Sequence, residues 1–168
     1  MEMALEVMEE VDKEFGVKFG RSYGGAIEEY RCEDAQTVII TIGGMTGTGK
    51  DAVDIMRDRG IKAGLLKLRF IRPFPSKRIA AALKGKKAFA VIDRSVCFGW
   101  REGPMHMEIK ATVSDSAEKY CHFSVIGGLG GADISLDDIL GVIEKLEKNK
   151  NKAGEMETVW LMAEEGGK

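Results

Sequence analysis

Three cysteines are few for a chain of 168 residues, and their positions argue against the framework of a small disulfide-stabilised protein. Cys32, Cys97 and Cys121 are odd in number and far apart. They therefore fit reduced thiols better than a disulfide, metal or iron–sulfur framework. Histidine is rarer still, with two in the chain. His106 lies in a predicted helix and His122 at a predicted strand start. Neither has an evident partner, so we expect both to be structural or exposed.

The chain also lacks an excess of charge of one sign and any long apolar run. Its formal net charge is -2, which offers no basic footprint for nucleic acid. No apolar run is long enough to span a bilayer, and the acidic segment 1–15 has no apolar signal core. We therefore expect a cytoplasmic protein with no nucleic-acid or membrane partner. With 44% hydrophobic and 31% charged residues, the composition is that of an ordinary globular domain with a substantial core.

Strand-like and helix-like segments alternate along most of the chain. Short apolar or β-branched runs predict strands at 37–42, 63–70, 88–93 and 122–126, with a short edge strand at 27–30. Helical spacing predicts helices at 1–15, 51–60 and 77–83, then from 104 and from 136. This alternation predicts an α/β sandwich with a mostly parallel sheet and right-handed crossovers. We divide the chain into an N-terminal helix and linker arm (1–34), an αβα domain (35–150) and a C-terminal tail (151–168).

Local signals predict where several helices begin. Ser76 is the predicted N-cap of the third helix, and Pro104 suits the first turn of the fourth. Ser135 and Asp138 form a pair typical of a capping box before the last helix. The fourth helix should bury Met105, Ile109 and Val113, and the last should bury Ile139, Ile143 and Leu146.

The stretch at 37–56, TVIITIGGMTGTGKDAVDIM, suggests a phosphate site. It reads as a buried strand, a glycine-rich turn and an amphipathic helix. Gly44, Gly49 and Lys50 match the G-x-x-x-x-G-K core of a P-loop, which cradles phosphates with backbone amides. The pattern fails at Asp51, where a P-loop carries the Ser or Thr that ligates Mg²⁺.

Two interpretations of that stretch follow. In one, Gly44, Gly47, Gly49 and Lys50 bind phosphate, and Asp93 at the end of a later strand positions Mg²⁺. The chain would then be a small nucleotide- or phosphate-binding protein. In the other, the glycines only precede a helix, and Asp51 in its first turn interacts favourably with the helix dipole.

A set of short motifs carries a family resemblance. In chain order they are Phe19-Gly20-Arg21-Ser22-Tyr23, Glu28-Glu29-Tyr30-Arg31, Thr48 with Lys50-Asp51, Gly64-Leu65-Leu66-Lys67, Arg72-Pro73-Phe74-Pro75, Asp93-Arg94, Glu102-Gly103-Pro104 and Gly128-Leu129-Gly130-Gly131. In this order and spacing the chain resembles the C-terminal region of the pyruvate:ferredoxin oxidoreductase α subunit. That region is the transketolase C-terminal-like domain II of the family. The resemblance covers nearly the whole chain, including the tail around Trp160.

The resemblance implies a three-layer αβα sandwich with a mixed, mostly parallel five-stranded sheet and one antiparallel edge strand. The complete enzyme of this family converts a 2-oxoacid and CoA to acyl-CoA and CO₂ while reducing ferredoxin. It uses thiamine diphosphate, Mg²⁺ and iron–sulfur clusters, which other domains and subunits hold. This region is therefore expected to be a non-catalytic assembly domain that binds no cofactor itself and is inactive alone. Its expected partners are the other domains or subunits, with ferredoxin reached through the complex.

We expect no catalytic residue, and the predicted interface residues lie in two loops. They are Arg72, Pro73, Phe74, Asp93, Arg94, Gly103 and Pro104. Arg72 would pair with a carboxylate of a neighbouring domain, and Phe74 would fill a pocket there. A local salt bridge for Arg72 and a core position for Phe74 remain open alternatives.

Two further points stay open at the level of sequence. The segments at 93–94 and 102–104 look more like those of the pyruvate and branched-chain enzymes than those of the 2-oxoglutarate enzymes, and pyruvate is the preferred substrate. A third hypothesis is a standalone scaffold or regulatory domain with the same fold, because fold does not determine function.

Overall fold

The computed structural model describes residues 2–161, with Glu2 described by its backbone alone. Met1 and residues 162–168 lie outside the described residues, and residues 162–168 belong to the predicted C-terminal tail. The helices are α1 (Glu2–Phe19), α2 (Thr46–Asp58), α3 (Ser76–Leu83), α4 (Pro104–Val113) and α5 (Leu136–Asn149). The strands are β1 (Ile27–Tyr30), β2 (Thr37–Ile42), β3 (Ala63–Leu68), β4 (Ala88–Asp93), β5 (Cys121–Ile126), β6 (Gly154–Glu155) and β7 (Val159–Trp160).

The strands of the described chain form one mixed sheet in the order β1-β3-β2-β4-β5-β6, with β7 also beside β5. β1 runs antiparallel to β3 at one edge, and every other pairing is parallel. The five longer strands thus confirm the sheet that the resemblance implies. The two-residue strands β6 and β7, which we did not predict, pair with the beginning and the end of β5.

Helices cover both faces of the sheet, which confirms the three-layer αβα sandwich. Ile39 of β2 packs in one core with residues of α2 and α5. Its neighbours Val38 and Ile40 pack in a second core with residues of α3 and α4. Because both faces are covered, the central strands are continuous apolar runs and do not alternate with polar residues.

The helix termini agree with most of the local signals. In α4, Pro104 occupies the first turn, and Met105, Ile109 and Val113 are buried as predicted. The capping box of α5 is also confirmed, because the Asp138 amide donates to Ser135 Oγ at 3.1 Å and the Ser135 amide to Asp138 Oδ2 at 2.8 Å. The inward residues predicted for α5 are buried too.

The prediction that Ser76 caps α3 was wrong. The helix begins at Ser76 itself, Pro75 holds the cap position, and no side chain caps the first turn.

The segments before residue 35 and after residue 150 contribute to the same fold as residues 35–150. α1 extends to Phe19, past Gly16, and its Glu9 and Asp12 pair with Arg78 and Arg69 of the central region. β1 and β7 belong to the sheet described above, while the three-part division into arm, domain and tail stays a prediction. None of the α-helices within residues 2–161 combines the length and apolar character that crossing a membrane requires.

Candidate functional site

The glycine-rich stretch after β2 is helical over most of its length. A 3-10 turn at Gly43–Met45 leads directly into α2, so Gly47, Gly49 and Lys50 lie in the helix. α2 therefore begins at Thr46, five positions before the predicted start at Asp51. Gly49 is buried where α2 meets the sheet, and an added Cβ would lie 2.7 Å from Leu65 Cδ1.

The lysine of this stretch is engaged within the protein. Lys50 Nζ forms an ion pair with Glu28 of β1 and lies 5.0 Å from the centre of the Tyr30 ring. Lys67 of β3 approaches the same carboxylate at 3.8 Å. The P-loop likeness thus reflects close helix packing and a local ion pair, and a nucleotide-binding loop is not favoured.

Asp93, the last residue of β4, anchors the start of α4. Its buried carboxylate accepts hydrogen bonds from the amides of Met105 and His106, both at 3.2 Å. Gly103 fits against this carboxylate, and its amide donates to Ser124 Oγ at 2.9 Å. Burial raises the pKa of Asp93 to about 6, against the effect of the two amide donors. Asp93, Gly103 and Pro104 therefore form an internal joint between β4, β5 and α4.

Arg94 faces the glycine-rich loop after β5. Its Nη2 lies 3.4 Å from the carbonyl oxygens of both Gly128 and Ala132. Gly128 has a left-handed φ of +71°, and an added Cβ would lie 2.8 Å from Arg94 Nε. Two motifs that are distant in sequence thus meet at the carboxyl edge of the sheet.

Between these anchors, residues 94–103 form a tight loop with exposed aromatic side chains. The Cys97 amide donates to the Glu102 carbonyl at 2.8 Å, which closes the loop as an antiparallel bridge. Phe98 is 95% exposed and Trp100 is 67% exposed. The loop thus presents an apolar surface on a narrow backbone turn.

The loop at 69–75 contains the other predicted interface residues. The Arg72-Pro73 peptide bond is cis, and Arg72 forms a bidentate ion pair with Glu108 of α4, with N···O distances of 3.0 and 2.5 Å. Phe74 is half-buried against the core of α3 and α4. The local ion pair that the sequence left open for Arg72 is therefore present, while Phe74 packs against the core without being fully buried. Together with α1, the loop lines a cavity of about 620 Å³.

The two histidines, for which the sequence showed no evident partner, form a hydrogen-bonded pair. His106 Nε2 lies 3.1 Å from His122 Nδ1, and His106 Nδ1 lies 3.0 Å from Glu102 Oε2. Lys110 Nζ bridges Glu102 Oε2 at 2.8 Å and Glu155 at 3.1 Å. The i, i+4 spacing of Glu102 and His106 could have indicated from the sequence that these two side chains are in contact. His122 and Glu155 are brought to this cluster by the pairing of β5 with β6, which the sequence did not predict.

Burial determines the protonation of this histidine pair. The His122 ring stacks on Phe89 with 5.1 Å between ring centres and 7° between planes. Burial, assisted by the charges of His106 and Lys110, lowers the pKa of His122 to about 4. Burial also lowers the pKa of His106, against the opposing effect of Glu102. Both imidazoles are therefore neutral at pH 7.

The cysteines do not fit an iron–sulfur cluster. Cys32 Sγ lies 3.3 Å from the Leu65 carbonyl oxygen, and Cys121 Sγ lies 3.4 Å from Met156 Sδ. Cys97 is in the loop after β4. Within residues 2–161, none of the three belongs to a group of three or more side chains that could hold a metal ion.

Comparison with known proteins gives consistent matches over most of the chain. Residues 35–139 match the family described as pyruvate:ferredoxin oxidoreductase core domain II. Over 162 residues, 96% of the chain, it is 43% identical to the NADH-dependent phenylglyoxylate dehydrogenase subunit alpha of Aromatoleum evansii. It is 35% identical over the same length to the pyruvate synthase subunit PorA of Methanocaldococcus jannaschii. The chain spans 39% and 40% of the length of these relatives.

A solved structure supports the fold independently. A split-gene transketolase matches with a TM-score of 0.55 and 14% sequence identity, covering 70% of this chain and 40% of that protein. At this identity the likeness concerns the fold alone, and it confirms a transketolase C-terminal-like αβα arrangement.

Proposed function

Because the chain belongs to the pyruvate:ferredoxin oxidoreductase core domain II family, we propose that it is a non-catalytic assembly domain of a 2-oxoacid:ferredoxin oxidoreductase. The full cytoplasmic complex would convert a 2-oxoacid and CoA to acyl-CoA and CO₂ while reducing ferredoxin. Thiamine diphosphate, Mg²⁺, the iron–sulfur clusters and CoA would be held by other domains and subunits. The scattered cysteines described above suit this division.

The observation that carries the proposal is the loop at 94–103. Phe98 and Trp100 are exposed to 95% and 67%, although burying an aromatic side chain is strongly favourable. Aromatic residues, tryptophan above all, dominate the binding energy of protein interfaces. An exposed aromatic pair on an ordered loop is therefore well suited to contact a partner.

The loop is also held in place before any partner binds. Asp93 and Gly103 anchor its two ends, and the Cys97–Glu102 bridge closes it. An ordered loop loses little conformational entropy on association, which favours a stable interface.

The first test is native purification of the chain from its source cells, with iron and thiamine diphosphate assayed in the same fraction. We expect larger subunits, iron and thiamine diphosphate to elute with the chain, and the fraction to reduce a dye when a 2-oxoacid and CoA are added. Recovery of the chain alone would contradict the proposal and favour the standalone scaffold hypothesis.

The second test replaces Trp100 with Ala in the full complex. Truncating an interface tryptophan costs about 2 kcal/mol or more, which weakens association by about 30-fold. The matched control is Val17→Ala in α1, because Val17 is 90% exposed but lies outside the loop. Equal assembly of both variants would exclude the loop as an interface.

Arg72 provides a separate test of the second predicted contact. Its side chain pairs with Glu108 but is still 60% exposed. Guanidinium N–H groups are therefore accessible to a carboxylate of a neighbouring domain. Arg72→Ala should weaken assembly and leave the fold intact. Arg59→Ala is the control, since Arg59 forms a similarly exposed pair with Glu144. If both variants assemble equally, the role of Arg72 is only local.

The proposed substrate is a 2-oxoacid, with pyruvate preferred. The relatives reported above are named for pyruvate and for phenylglyoxylate, which are both 2-oxoacids, and one is named as NADH-dependent. The assay should therefore compare both acids and use both ferredoxin and NAD⁺ as acceptors. The substrate with the highest kcat/KM identifies the enzyme.

A further inference from the structure

We propose that His106, His122 and Glu155 form a binding site for a divalent transition-metal ion of the zinc type. Within the described chain, one candidate ligand atom from each of these residues lies within 4.8 Å of the other two. The chain has two histidines in all, and the fold brings both to this one place. Imidazole nitrogen and carboxylate oxygen are ligands that zinc commonly takes in proteins. This inference does not depend on the proposed function.

The geometry of the imidazoles suits an ion. The 3.1 Å between His106 Nε2 and His122 Nδ1 allows both nitrogens to lie about 2.0–2.1 Å from one ion placed to the side of the line between them. Glu102 accepts from His106 Nδ1, so we assign the proton to that nitrogen, which leaves the Nε2 lone pair directed to the site. His122 would carry its proton on Nε2 when its Nδ1 binds the ion.

Glu102 supplies the outer support that metal-binding histidines usually have. A carboxylate that accepts the second ring N–H fixes the tautomer and orientation of the histidine and raises its basicity as a ligand. The 3.0 Å contact between Glu102 Oε2 and His106 Nδ1 is such an arrangement. Lys110 in turn holds Glu102 at 2.8 Å.

The local charge also permits a cation. Two carboxylates, Glu102 and Glu155, face the single ammonium of Lys110. The carboxylates of the cluster therefore outnumber its ammonium groups. Glu155, whose side chain is 39% exposed, can turn from Lys110 to an ion while Lys110 keeps its bond to Glu102.

An ion at this place would join three elements of the fold. His106 belongs to α4, His122 to β5 and Glu155 to the two-residue strand β6. Because β6 otherwise pairs with β5 through two residues alone, the ion would fix the sheet edge at the C-terminal end. Binding to the folded state should raise the thermal midpoint as the free ion concentration rises.

The test is calorimetric titration of the 168-residue chain with Zn²⁺ at pH 7.5. The chain should carry no polyhistidine tag and should carry Cys97→Ser, which removes a loop thiol that could bind zinc. We expect saturation at one ion per chain. Glu155→Gln should weaken binding by at least about tenfold, because even an outer-support residue costs about 10- to 100-fold in affinity. Glu157→Gln, an exposed acid of the same segment outside the cluster, is the matched control and should bind as the parent does.

A second measurement locates the ion if a variant fails to fold. The ring signals of both histidines in the NMR spectrum of the Cys97→Ser chain should shift and saturate at one equivalent of Zn²⁺. Glu102→Gln should weaken binding by about 10- to 100-fold as an outer-support change. Absence of a one-to-one isotherm, unshifted histidine signals, or equal affinities in Glu155→Gln and Glu157→Gln would each overturn the proposal.

Discussion

Gly103 lies so close to Asp93 that a Cβ atom added to it would be 2.0 Å from Asp93 Oδ2. The φ of Gly103 is -76° and its ψ is 145°, which any residue can adopt. Glycine is therefore required here by space, not by backbone conformation. The contact lets the Asp93 carboxylate reach the amides that begin α4, and so it fixes one end of the loop with the exposed aromatics.

Gly103→Ala should strongly destabilise the chain. The new methyl group must displace a buried carboxylate, and such overpacking costs about 1–3 kcal/mol or more in the free energy of unfolding. Urea unfolding followed by circular dichroism measures the loss. Gly44→Ala is the control, because a Cβ at Gly44 meets no atom within 4 Å, and it should change stability by less than about 0.5 kcal/mol. Equal stabilities for the two variants would refute the steric account.

Ser124→Ala should destabilise the same joint by a different route. Ser124 is 1% exposed and accepts the Gly103 amide at 2.9 Å. Removing the hydroxyl leaves a buried N–H without an acceptor, which costs about 1–3 kcal/mol. The control Ser95→Ala lies in the exposed loop nearby and should be close to neutral. If Ser124→Ala unfolds at the same urea concentration as Ser95→Ala, the hydrogen bond from Gly103 to Ser124 does not stabilise the fold.

Gly47 and Gly49 should respond oppositely to alanine. Gly47 is an exposed helical residue with free space around its Cα, so Gly47→Ala should stabilise by about 0.5 kcal/mol through helix propensity. Gly49→Ala should destabilise by about 1–3 kcal/mol, because its Cβ would meet the buried Leu65 side chain. A phosphate-binding loop would instead lose anion binding in both variants. Chemical unfolding with and without phosphate distinguishes these outcomes.

The His122 pKa should be about 4, well below its ordinary value of 6.5. NMR titration of the ring signals in the presence of EDTA measures it. A midpoint at or above 6.5 would mean that the ring is not buried as described.

The lowered pKa of His122 determines how this residue changes the free energy of unfolding with pH. Between about pH 6.5 and pH 4 the unfolded chain takes up the His122 proton before the folded chain does, so this residue lowers stability as pH falls. Asp93 acts in the opposite direction, since its raised pKa lowers stability as pH rises from about 4 to about 6. His122→Gln should therefore make the chain lose less stability on acidification to pH 5 than the parent does.

Much of the fold could be predicted because its signals are local. The apolar runs at 37–42 and 88–93 match β2 and β4 to the residue. The capping box at Ser135 was equally readable, since its two partners lie three residues apart. Ser76 misled us because residue type alone does not show where the first helical turn closes.

The candidate site was less predictable because its contacts join residues distant in sequence. Glu28 with Lys50, Asp93 with Gly103, and Arg94 with Gly128 were each visible as separate motif members. Which of these residues meet depends on which strands are adjacent in the sheet, and the sequence does not show that β4 and β5 are adjacent. The same holds for His106 and His122, which are sixteen positions apart and looked unpartnered.

The sequence by itself determined the alternation of strands and helices, the apolar faces and the family, because these depend on residue types at short or fixed spacing. Only the tertiary structure decided what the motif residues do. Asp93 and Gly103 are in contact inside the fold and hold the start of α4. Lys50 forms an ion pair with Glu28, and both histidines lie beside Glu155. The physical reason is that these interactions arise between side chains from different elements, and their distances exist only after the sheet has formed and the helices have packed on it.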